Sequence, residues 1–355
     1  MGVGLRQCLL IGIAAAMLAT GCGSTDEETD DSSAASALLA ADSSDGSNLT
    51  VAAAGDLGME RGGIATLDAM ARSRPDLYLG LGDFSYAGPS STDDFCDLVR
   101  SKIGGSAPFE IVAGNHEEDS GEDGRIEDFA ACLPDKLAAE GEYARQYYFD
   151  VGRLARFIMI SPDLTIEGDH YYYGPDDDGE DTPQLAWLKR TIDEARDAGV
   201  EWIVVGMHKS CISVGEYYCD VYQDLFSTLI ASRVDVVLSG HDHTYQRSKQ
   251  VAAPRRGCPE VIVDSFKPAC VVDDDDSYRK GAGPVFVVAG AGGAELYPIH
   301  ADDPEAGYFA AAMGRNTAGD RHGFAMLTIS ERQLLLRFVG STPGSFTDRF
   351  TIESP

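Results

Sequence analysis

The chain has 355 residues and a formal net charge of −30, with 58 acidic side chains against 28 basic ones. This balance argues against binding to nucleic acids, because phosphate contacts require a basic face. With 44% hydrophobic residues the chain can bury a large core. Residues 48–355 are long enough for one α/β domain.

The N-terminus has the pattern of an export signal. Arg6 precedes an apolar run at residues 9–18, and small residues follow as far as Cys22. This order predicts a signal peptide over residues 1–21. The apolar run is too short to cross a bilayer comfortably, so a permanent transmembrane helix is the weaker interpretation. Gly21-Cys22 resembles a bacterial lipobox and predicts a lipid anchor on Cys22; the alternative is an ordinary signal peptide with a chance cysteine.

Residues 22–47 are rich in serine, aspartate and alanine and have few large apolar side chains. Such a segment cannot bury enough surface to offset the entropy of ordering, which predicts a disordered acidic tether. We therefore expect an exported protein, attached to the bacterial cell envelope or secreted. Contact with a membrane is expected only through the lipid anchor at Cys22.

Apart from Cys8 in the signal segment and Cys22 at the predicted anchor, six of the eight cysteines remain. An even number in an exported chain favours disulfides, although sequence alone does not determine the pairing. Assuming local pairing, we predict Cys96–Cys132, Cys211–Cys219 and Cys258–Cys270.

Short apolar runs alternate with amphipathic segments along the domain, which is typical of layered α/β structure. We predict strands at residues 49–54, 77–81, 109–112, 154–160, 202–206, 234–238, 285–289 and 324–329. We predict helices near residues 61–72, 93–103, 125–137, 183–198 and 221–232. The clearest helix is the one at 183–198, where Thr182 can cap, Pro183 fits the first turn, and apolar residues recur at helical spacing.

Five of these strands lead into a glycine and then into polar residues that can bind a metal. The motifs are Gly55-Asp56-Leu57-Gly58, Gly82-Asp83-Phe84-Ser85-Tyr86, Gly114-Asn115-His116-Glu117, Val205-Gly206-Met207-His208 and Gly240-His241-Asp242-His243. In open α/β sheets the loops at the carboxyl ends of strands form the ligand crevice. We therefore expect these loops to converge.

Each motif alone has a simple structural explanation, since Asp or Asn after Gly usually forms a turn and a histidine can belong to the core. Only the alternation of His241 and His243 suggests a metal by itself, because alternate residues of an extended segment point to one side. Together the motifs supply carboxylate, phenol, amide and imidazole donors, which suit iron, manganese or zinc. The predicted ligands are Asp56, Asp83, Tyr86, Asn115, His208, His241 and His243.

The motif order GDxG, GDxxY, GNH[DE], VxxH and GHxH resembles that of the purple acid phosphatases, within the calcineurin-like metallophosphoesterases. The tyrosine of GDxxY is the specific mark, since most relatives in the superfamily lack it. The chain resembles the short, single-domain forms. The resemblance implies an α/β fold (α+β in some schemes), a four-layer αββα sandwich with its metal site at the carboxyl ends of strands.

The resemblance also implies two metal ions bridged by Asp83. Fe(III) would be bound by Asp56, Asp83, Tyr86 and His243. Fe(II), Zn(II) or Mn(II) would be bound by Asp83, Asn115, His208 and His241. Hard phenolate and carboxylate oxygens suit the trivalent ion, whereas imidazoles and an amide suit a borderline divalent one.

The motif position of His116 implies that it contacts the phosphate or protonates the leaving oxygen; the alternative is that it only orients ligands. Family members usually carry a second substrate-facing histidine several residues beyond the VxxH ligand. Residues 209–218, which follow the ligand His208 here, contain no histidine. The candidates to replace it are Lys209, Tyr217, Tyr218, His170 and His322. Asp242 and Glu117 are expected to be structural.

The implied activity is hydrolysis of small phosphate monoesters by metal-bound hydroxide, with an acidic optimum. A phosphodiesterase or nucleotide hydrolase with the same metal site is the alternative. A third possibility is a surface lipoprotein that keeps the metals without catalysis. That possibility predicts the loss of a ligand, and every predicted ligand is present.

Overall fold

The computed structural model describes residues 48–219 and 221–355. The predicted signal peptide at 1–21, the anchor at Cys22 and the tether at 22–47 lie outside the described residues. Across the two described ranges, no helix is both long enough and apolar enough to cross a membrane.

The domain is built from strands β1 to β19 and helices α1 to α5, with three short 3-10 turns between them. The strands are β1 (Leu49–Ala54), β2 (Leu77–Gly80), β3 (Phe109–Ile111), β4 (Glu140–Glu142), β5 (Gln146–Val151), β6 (Ala155–Ile160), β7 (Thr165–Ile166), β8 (Asp169–His170), β9 (Trp202–Gly206), β10 (Val236–Ser239), β11 (Tyr245–Ser248), β12 (Gln250–Val251), β13 (Val271–Asp273), β14 (Ser277–Arg279), β15 (Val285–Ala289), β16 (Phe309–Met313), β17 (Gly323–Ile329), β18 (Gln333–Gly340) and β19 (Arg349–Glu353). The helices are α1 (Arg61–Ser73), α2 (Thr92–Ile103), α3 (Ile126–Cys132), α4 (Pro183–Asp197) and α5 (Gln223–Ala231).

Two mixed sheets contain most of the strands. One has the order β14-β19-β18-β17-β1-β2-β3, and the other has the order β16-β11-β15-β10-β9-β6-β5-β4. The strands β1, β2 and β3 run parallel in the first sheet, as do β6, β9, β10 and β15 in the second. Each sheet therefore presents several strand ends at one edge.

The two sheets pack face to face through alternate residues of their strands. In β1, Val51 and Ala53 belong to the core between the sheets, whereas Ala52 and Ala54 belong to the core that includes the helices. This alternation follows from the two-residue period of a strand. From Val51 to Ala54 both faces of β1 are buried, which explains why this part of the strand is entirely apolar.

Helices cover the outer faces. The Arg156 guanidinium of β6 donates to the carbonyl of Thr191 in α4 at 3.0 Å, and Phe226 of α5 packs against Phe286 of β15 with 5.0 Å between ring centroids. Helix α1 packs against β17 and β18 of the other sheet, and α2 and α3 pack in sequence beside it. The predicted four-layer αββα sandwich is confirmed.

Helix α4 was predicted from its capping residue, its proline and its apolar spacing, and the structure shows each of these features in place. The Thr182 side chain accepts a hydrogen bond from the backbone N–H of Leu185 at 3.4 Å, and Pro183 occupies the first turn. Leu185, Leu188 and Ile192 are buried on one face. The helix ends at Asp197, one residue before the predicted end.

Most predicted strands and helices match within one or two residues, but helix α3 was predicted too long. It covers Ile126–Cys132 instead of residues 125–137. Pro134 disfavours helical backbone at the residue before it, and Cys132 is tied by a disulfide to Cys96. The strands that were not predicted are β4, β5, β7, β8, β11, β12, β13, β14, β16, β18 and β19. Among them β18 and β19 were missed although buried residues alternate with more exposed ones along both strands.

Two of the three predicted disulfides are present, Cys96–Cys132 and Cys258–Cys270. The predicted pair Cys211–Cys219 is wrong: both residues are free thiols. Burial, together with the neighbouring Cys219 thiol, raises the pKa of Cys211 well above its usual range. A buried thiol held in its protonated form is a poor nucleophile for forming a disulfide.

Candidate metal centre

The five polar motifs lie together where the strands of the two sheets end. The loops after β1, β2 and β3 come from one sheet, and those after β9 and β10 come from the other. The sandwich brings both sets of loops to one edge, as expected for parallel strands. The seven predicted ligands are joined there by contacts between their donor atoms: Asp56, Asp83, Tyr86, Asn115, His208, His241 and His243.

The first group of donors surrounds the Tyr86 hydroxyl. Its oxygen lies 3.0 Å from Oδ1 of Asp56 and 2.9 Å from Nε2 of His243. Burial raises the pKa of Asp56 and the pKa of Tyr86 well above their usual ranges, and it lowers the pKa of His243 to about 4. Each group thus resists carrying charge by itself. A cation between them would stabilise the ionised oxygens.

The second group surrounds Nε2 of His208. This atom lies 3.0 Å from Oδ1 of Asn115, 3.1 Å from Oδ2 of Asp83 and 3.2 Å from Nδ1 of His241. Asp83, His208 and His241 are all buried, and their potential ligand atoms lie within 4.8 Å of one another. A carboxylate, an amide oxygen and two imidazoles are suitable donors for a divalent metal.

Asp83 lies between the two groups. Its Oδ2 is 3.2 Å from the Tyr86 hydroxyl and 3.1 Å from Nε2 of His208. Burial opposes ionisation of Asp83, but His208 outweighs it through charge and a hydrogen bond and lowers the pKa of Asp83. One carboxylate therefore contacts both sets of donors, which is the arrangement that a bridging ligand requires.

The histidines are oriented by backbone carbonyls. Nδ1 of His208 is 2.7 Å from the carbonyl of Leu81, and Nδ1 of His243 is 2.9 Å from the carbonyl of Glu295. A carbonyl can only accept, so each Nδ1 carries a proton, and Nε2 of each ring is the nitrogen that faces the centre. Metal-binding histidines are commonly held in this way.

Four of the seven residues have left-handed backbone, with φ of 57° at Asp56, 54° at Asp83, 50° at Tyr86 and 69° at His241. Non-glycine residues rarely adopt this conformation. The residues that do are held in it by the surrounding structure, and they occur most often at functional sites. Gly114 is required for a related reason. A Cβ atom at this position would lie 2.1 Å from Oδ1 of Asp83.

Glu117 holds the loops after β2 and β3 together, which is the structural role that we expected for it. Its carboxylate accepts hydrogen bonds from the backbone N–H groups of Asp83, Phe84 and Gly114, each at 2.9 Å. Burial and the neighbouring Asp83 raise the pKa of Glu117 to about 7. Its position fixes the backbone of two predicted ligand loops.

His116 lies beside this centre with a partner that was not predicted. Its Nδ1 is 2.7 Å from Oδ2 of Asp123, and its Nε2 is 3.8 Å from Oδ2 of Asp83. The backbone N–H of Gly88 donates to the other oxygen of Asp123 at 2.8 Å. Asp123 therefore fixes the imidazole with Nε2 towards the predicted ligands.

The candidates for a second substrate-facing group differ in position. Nζ of Lys209 is 3.0 Å from Oδ2 of Asp163, and Nε2 of His170 is 3.2 Å from Oδ1 of the same residue. Nε2 of His322 is 2.9 Å from the carbonyl of Ala294.

Among the tyrosines, Tyr218 is exposed, with 72% of its surface accessible. Tyr217 instead packs on the ring of His241, with 4.0 Å between ring centroids and an interplanar angle of 28°. Among the described residues, Tyr217 is the one of the five candidates that contacts a predicted ligand. Tyr297, which the sequence did not indicate, packs on His243 at 4.1 Å.

This geometry agrees with the comparison to known families. Residues 49–245 match the family model of the calcineurin-like phosphoesterases, which is more than half of the chain. The chain belongs to this family. The match begins at β1 and ends at the first residue of β11, so it contains all five polar motifs.

Similar proteins include plant phosphatases. The chain is 29% identical to purple acid phosphatase 21 of Arabidopsis thaliana, over 57% of this chain and 46% of that protein. It is 26% identical to a nucleotide pyrophosphatase/phosphodiesterase of Hordeum vulgare, over 78% of this chain and 72% of that protein. Its fold is similar to that of a purple acid phosphatase from yellow lupin seeds, with a TM-score of 0.65 and 19% identity, covering 87% of this chain and 54% of that one.

The chain spans about half the length of the plant purple acid phosphatases that it matches. A dinuclear metal site is typical of the family, and the buried group of Asp83, His208 and His241 is a candidate part of it. The two disulfides are consistent with an exported protein.

Proposed function

We propose that this protein is a dinuclear-metal acid phosphatase that hydrolyses small phosphate monoesters. The observation that carries the proposal is the position of Asp83, whose Oδ2 contacts both the Tyr86 hydroxyl and Nε2 of His208. Two groups of donors sharing one carboxylate suit a pair of metal ions better than a single ion.

The donor set fits such a pair. Asp56, Asp83, Tyr86 and His243 would hold Fe(III), and Asp83, Asn115, His208 and His241 would hold Fe(II), Zn(II) or Mn(II). The buried carboxylates of Asp56 and Asp83 and the nearby Glu117 would carry unbalanced negative charge without cations, which is costly inside a protein. Two bound metal ions would supply Lewis acidity that activates water and neutralises charge on the phosphate.

The protein's own contribution to proton transfer would come from His116. Asp123 holds the proton on Nδ1, so Nε2 is the atom that faces the centre. A protonated Nε2 can donate its proton to the leaving oxygen of the ester as the bond to phosphorus breaks. Tyr86 supports the ring from one side, with 4.6 Å between ring centroids.

A second candidate activity is hydrolysis of nucleotide phosphodiester or pyrophosphate bonds. The similarity to the barley nucleotide pyrophosphatase/phosphodiesterase favours it, because the alignment covers more of both chains than the alignment with purple acid phosphatase 21 does. The same metal centre could serve either reaction, so the two activities differ in which substrate the surrounding loops accept.

We also propose that residues 1–21 direct export and that Cys22 carries a lipid. The two disulfides support export, since such bonds form in oxidising compartments. Changing Cys22 to Ser should release the protein from membranes during fractionation of a bacterial host. If wild-type protein and the Cys22→Ser variant fractionate alike, the anchor is excluded.

The activity is tested on purified, metal-loaded protein. We would compare kcat/KM for an aryl phosphate monoester, the matching diester and a dinucleotide pyrophosphate, and measure rates from pH 4 to pH 9. The proposal predicts a preference for the monoester and a maximum below neutral pH, with two metals per chain. A preference for the diester or the pyrophosphate would replace it with the second candidate, and an Asn115→Ala variant that kept full metal content and rate would contradict the proposed centre.

A further inference from the structure

Two tyrosines from distant loops cover the two histidines of the last polar motif. Tyr217 stacks on His241 at 4.0 Å between ring centroids, and Tyr297 stacks on His243 at 4.1 Å with an interplanar angle of 8°. His241 contacts the donor group around His208, and His243 contacts the group around Tyr86. The two tyrosines therefore extend along both halves of the candidate metal centre.

The backbone holds Tyr217 in this position. Its N–H points to Oδ2 of Asp242 at 3.4 Å, and the Ser213 hydroxyl donates to the same carboxylate at 2.5 Å. Gly215 allows the loop to approach so closely, because a Cβ atom there would lie 2.1 Å from Oδ1 of Asp242. Asp242 thus connects the loop to the motif that supplies both stacked histidines.

Tyr297 is held just as directly. Its backbone N–H donates to the carbonyl of His243 at 3.0 Å, and its own carbonyl accepts from the N–H of Arg315 at 2.8 Å. The two tyrosines approach each other edge to face, with 5.9 Å between ring centroids. Both side chains are half-buried, so their positions are defined but they still reach solvent.

Each phenol carries one O–H group that can donate a hydrogen bond. The two rings lie against histidines from both groups of donors, and both side chains keep some exposure to solvent. A phosphate ester bound at the candidate metal centre would therefore lie beside two phenolic donors.

We propose that Tyr217 and Tyr297 form a hydroxyl pair that binds the substrate phosphate, each donating a hydrogen bond to a phosphoryl oxygen beside the two metal ions. The inference rests on the proposed phosphatase function and names the groups that contact its substrate. Tyr217 and Tyr297 would take the place of the substrate-facing histidine that is absent from residues 209–218.

The test uses Tyr217→Phe, Tyr297→Phe and the double variant, all of which keep the stacked rings and remove hydroxyl groups. Tyr218→Phe is the matched control, since Tyr218 is the next residue of the same loop and is 72% exposed. For each metal-loaded protein we would measure metal content, the melting temperature, the Kd of inorganic phosphate by calorimetry, and kcat and KM for an aryl phosphate.

Each single variant should weaken phosphate binding by roughly tenfold, the effect of losing one hydrogen bond to a charged group. The double variant should weaken it further than either single variant, because two donors are lost. Metal content and melting temperature should stay at wild-type values in all variants. The Tyr218→Phe protein should bind phosphate as the wild type does.

The proposal is overturned if both single variants bind phosphate within about twofold of wild type, or if weaker binding accompanies metal loss. It is also overturned if the metal-loaded wild type does not bind phosphate. If the wild type binds phosphate but hydrolyses no phosphate ester, the proposed function fails, whereas a tenfold effect on phosphate binding would still support the hydroxyl pair.

Discussion

The imidazole of His116 is paired with the carboxylate of Asp123, with 2.7 Å between Nδ1 and Oδ2. Asp123 is buried, and its other oxygen accepts the backbone N–H of Gly88. One carboxylate therefore orients His116 and also ties down the loop after Tyr86. In the sequence, Asp123 is one of several acidic residues after His116, and nothing in the local pattern distinguishes it from Asp119 or Glu122.

Replacing Asp123 by Asn should lower kcat while metal binding persists. The amide no longer fixes the Nδ1 proton, so Nε2 is less often presented as a donor, and removal of such orienting partners costs about 10–100-fold. The loss should be larger for an alkyl phosphate than for an activated aryl phosphate, whose leaving oxygen needs no proton. Asp119→Asn, in the same acidic segment, is the control. Equal losses on both substrates would contradict proton donation by His116.

Tyr86→Phe tests the assignment of the metals. The phenyl ring can keep its packing against His116 and His243, at 4.6 and 5.6 Å between centroids, while the hydroxyl ligand disappears. If Fe(III) occupies this half of the centre, the purple absorption of the wild type should vanish in the variant. Visible spectra recorded with metal analysis provide the measurement, and Tyr217→Phe should retain the colour. Two zinc ions in a colourless wild type would reject the iron assignment.

Glu117→Gln should destabilise the fold and reduce metal content together. The amide offers one acceptor oxygen in place of the carboxylate's two, and its NH2 would face backbone N–H groups in the loops of Asp83 and Gly114. An unsatisfied buried donor costs roughly 1–3 kcal/mol. Urea unfolding of the purified variants measures this loss. Glu118→Gln is the matched control, because the Glu118 carboxylate accepts a hydrogen bond from the backbone N–H of Thr165 at 2.9 Å. A larger loss of stability in this control than in Glu117→Gln would contradict the role of Glu117.

Glu110 should make the fold less stable as pH rises. It is fully buried in β3; Oε1 accepts from the N–H of Lys136, while Oε2 has no partner among the described residues. Burial and the nearby Asp135 raise its pKa to about 8. The folded pKa exceeds the unfolded value of about 4.3, so stability is greatest below the unfolded pKa and falls by up to about 1.4 kcal/mol per pH unit until the folded pKa is passed.

Glu110→Gln should therefore remove this part of the pH dependence and stabilise the protein at pH 7 more than at pH 4. Denaturant unfolding at a series of pH values measures the difference from wild type. Glu331→Gln, at an exposed position in the turn between β17 and β18, serves as the control. Parallel stability curves for wild type and Glu110→Gln would show that Glu110 does not titrate in this range.

The local sequence was sufficient for the elements that form the frame of the centre. Strand β1, which is apolar from Val51 to Ala54, and the capped, amphipathic helix α4 carry their signals within a few residues, because strand and helix periods are local properties. The glycine-plus-polar motifs at strand ends are local too. For this reason Asp56, Asp83, Asn115, His208 and His241 could be predicted to lie together before any contact between them was known.

Other features depend on how the loops are placed by the folded chain. The free thiols of Cys211 and Cys219, the early end of α3, the pairing of His116 with Asp123 and the stacking of Tyr217 and Tyr297 on two histidines all depend on tertiary contacts. The sequence alone determined which donor atoms could bind metals and that five strand ends would present them. Only the tertiary structure decided which neighbours orient those donors, because such contacts depend on the folded course of the loops and leave no periodic trace in the sequence.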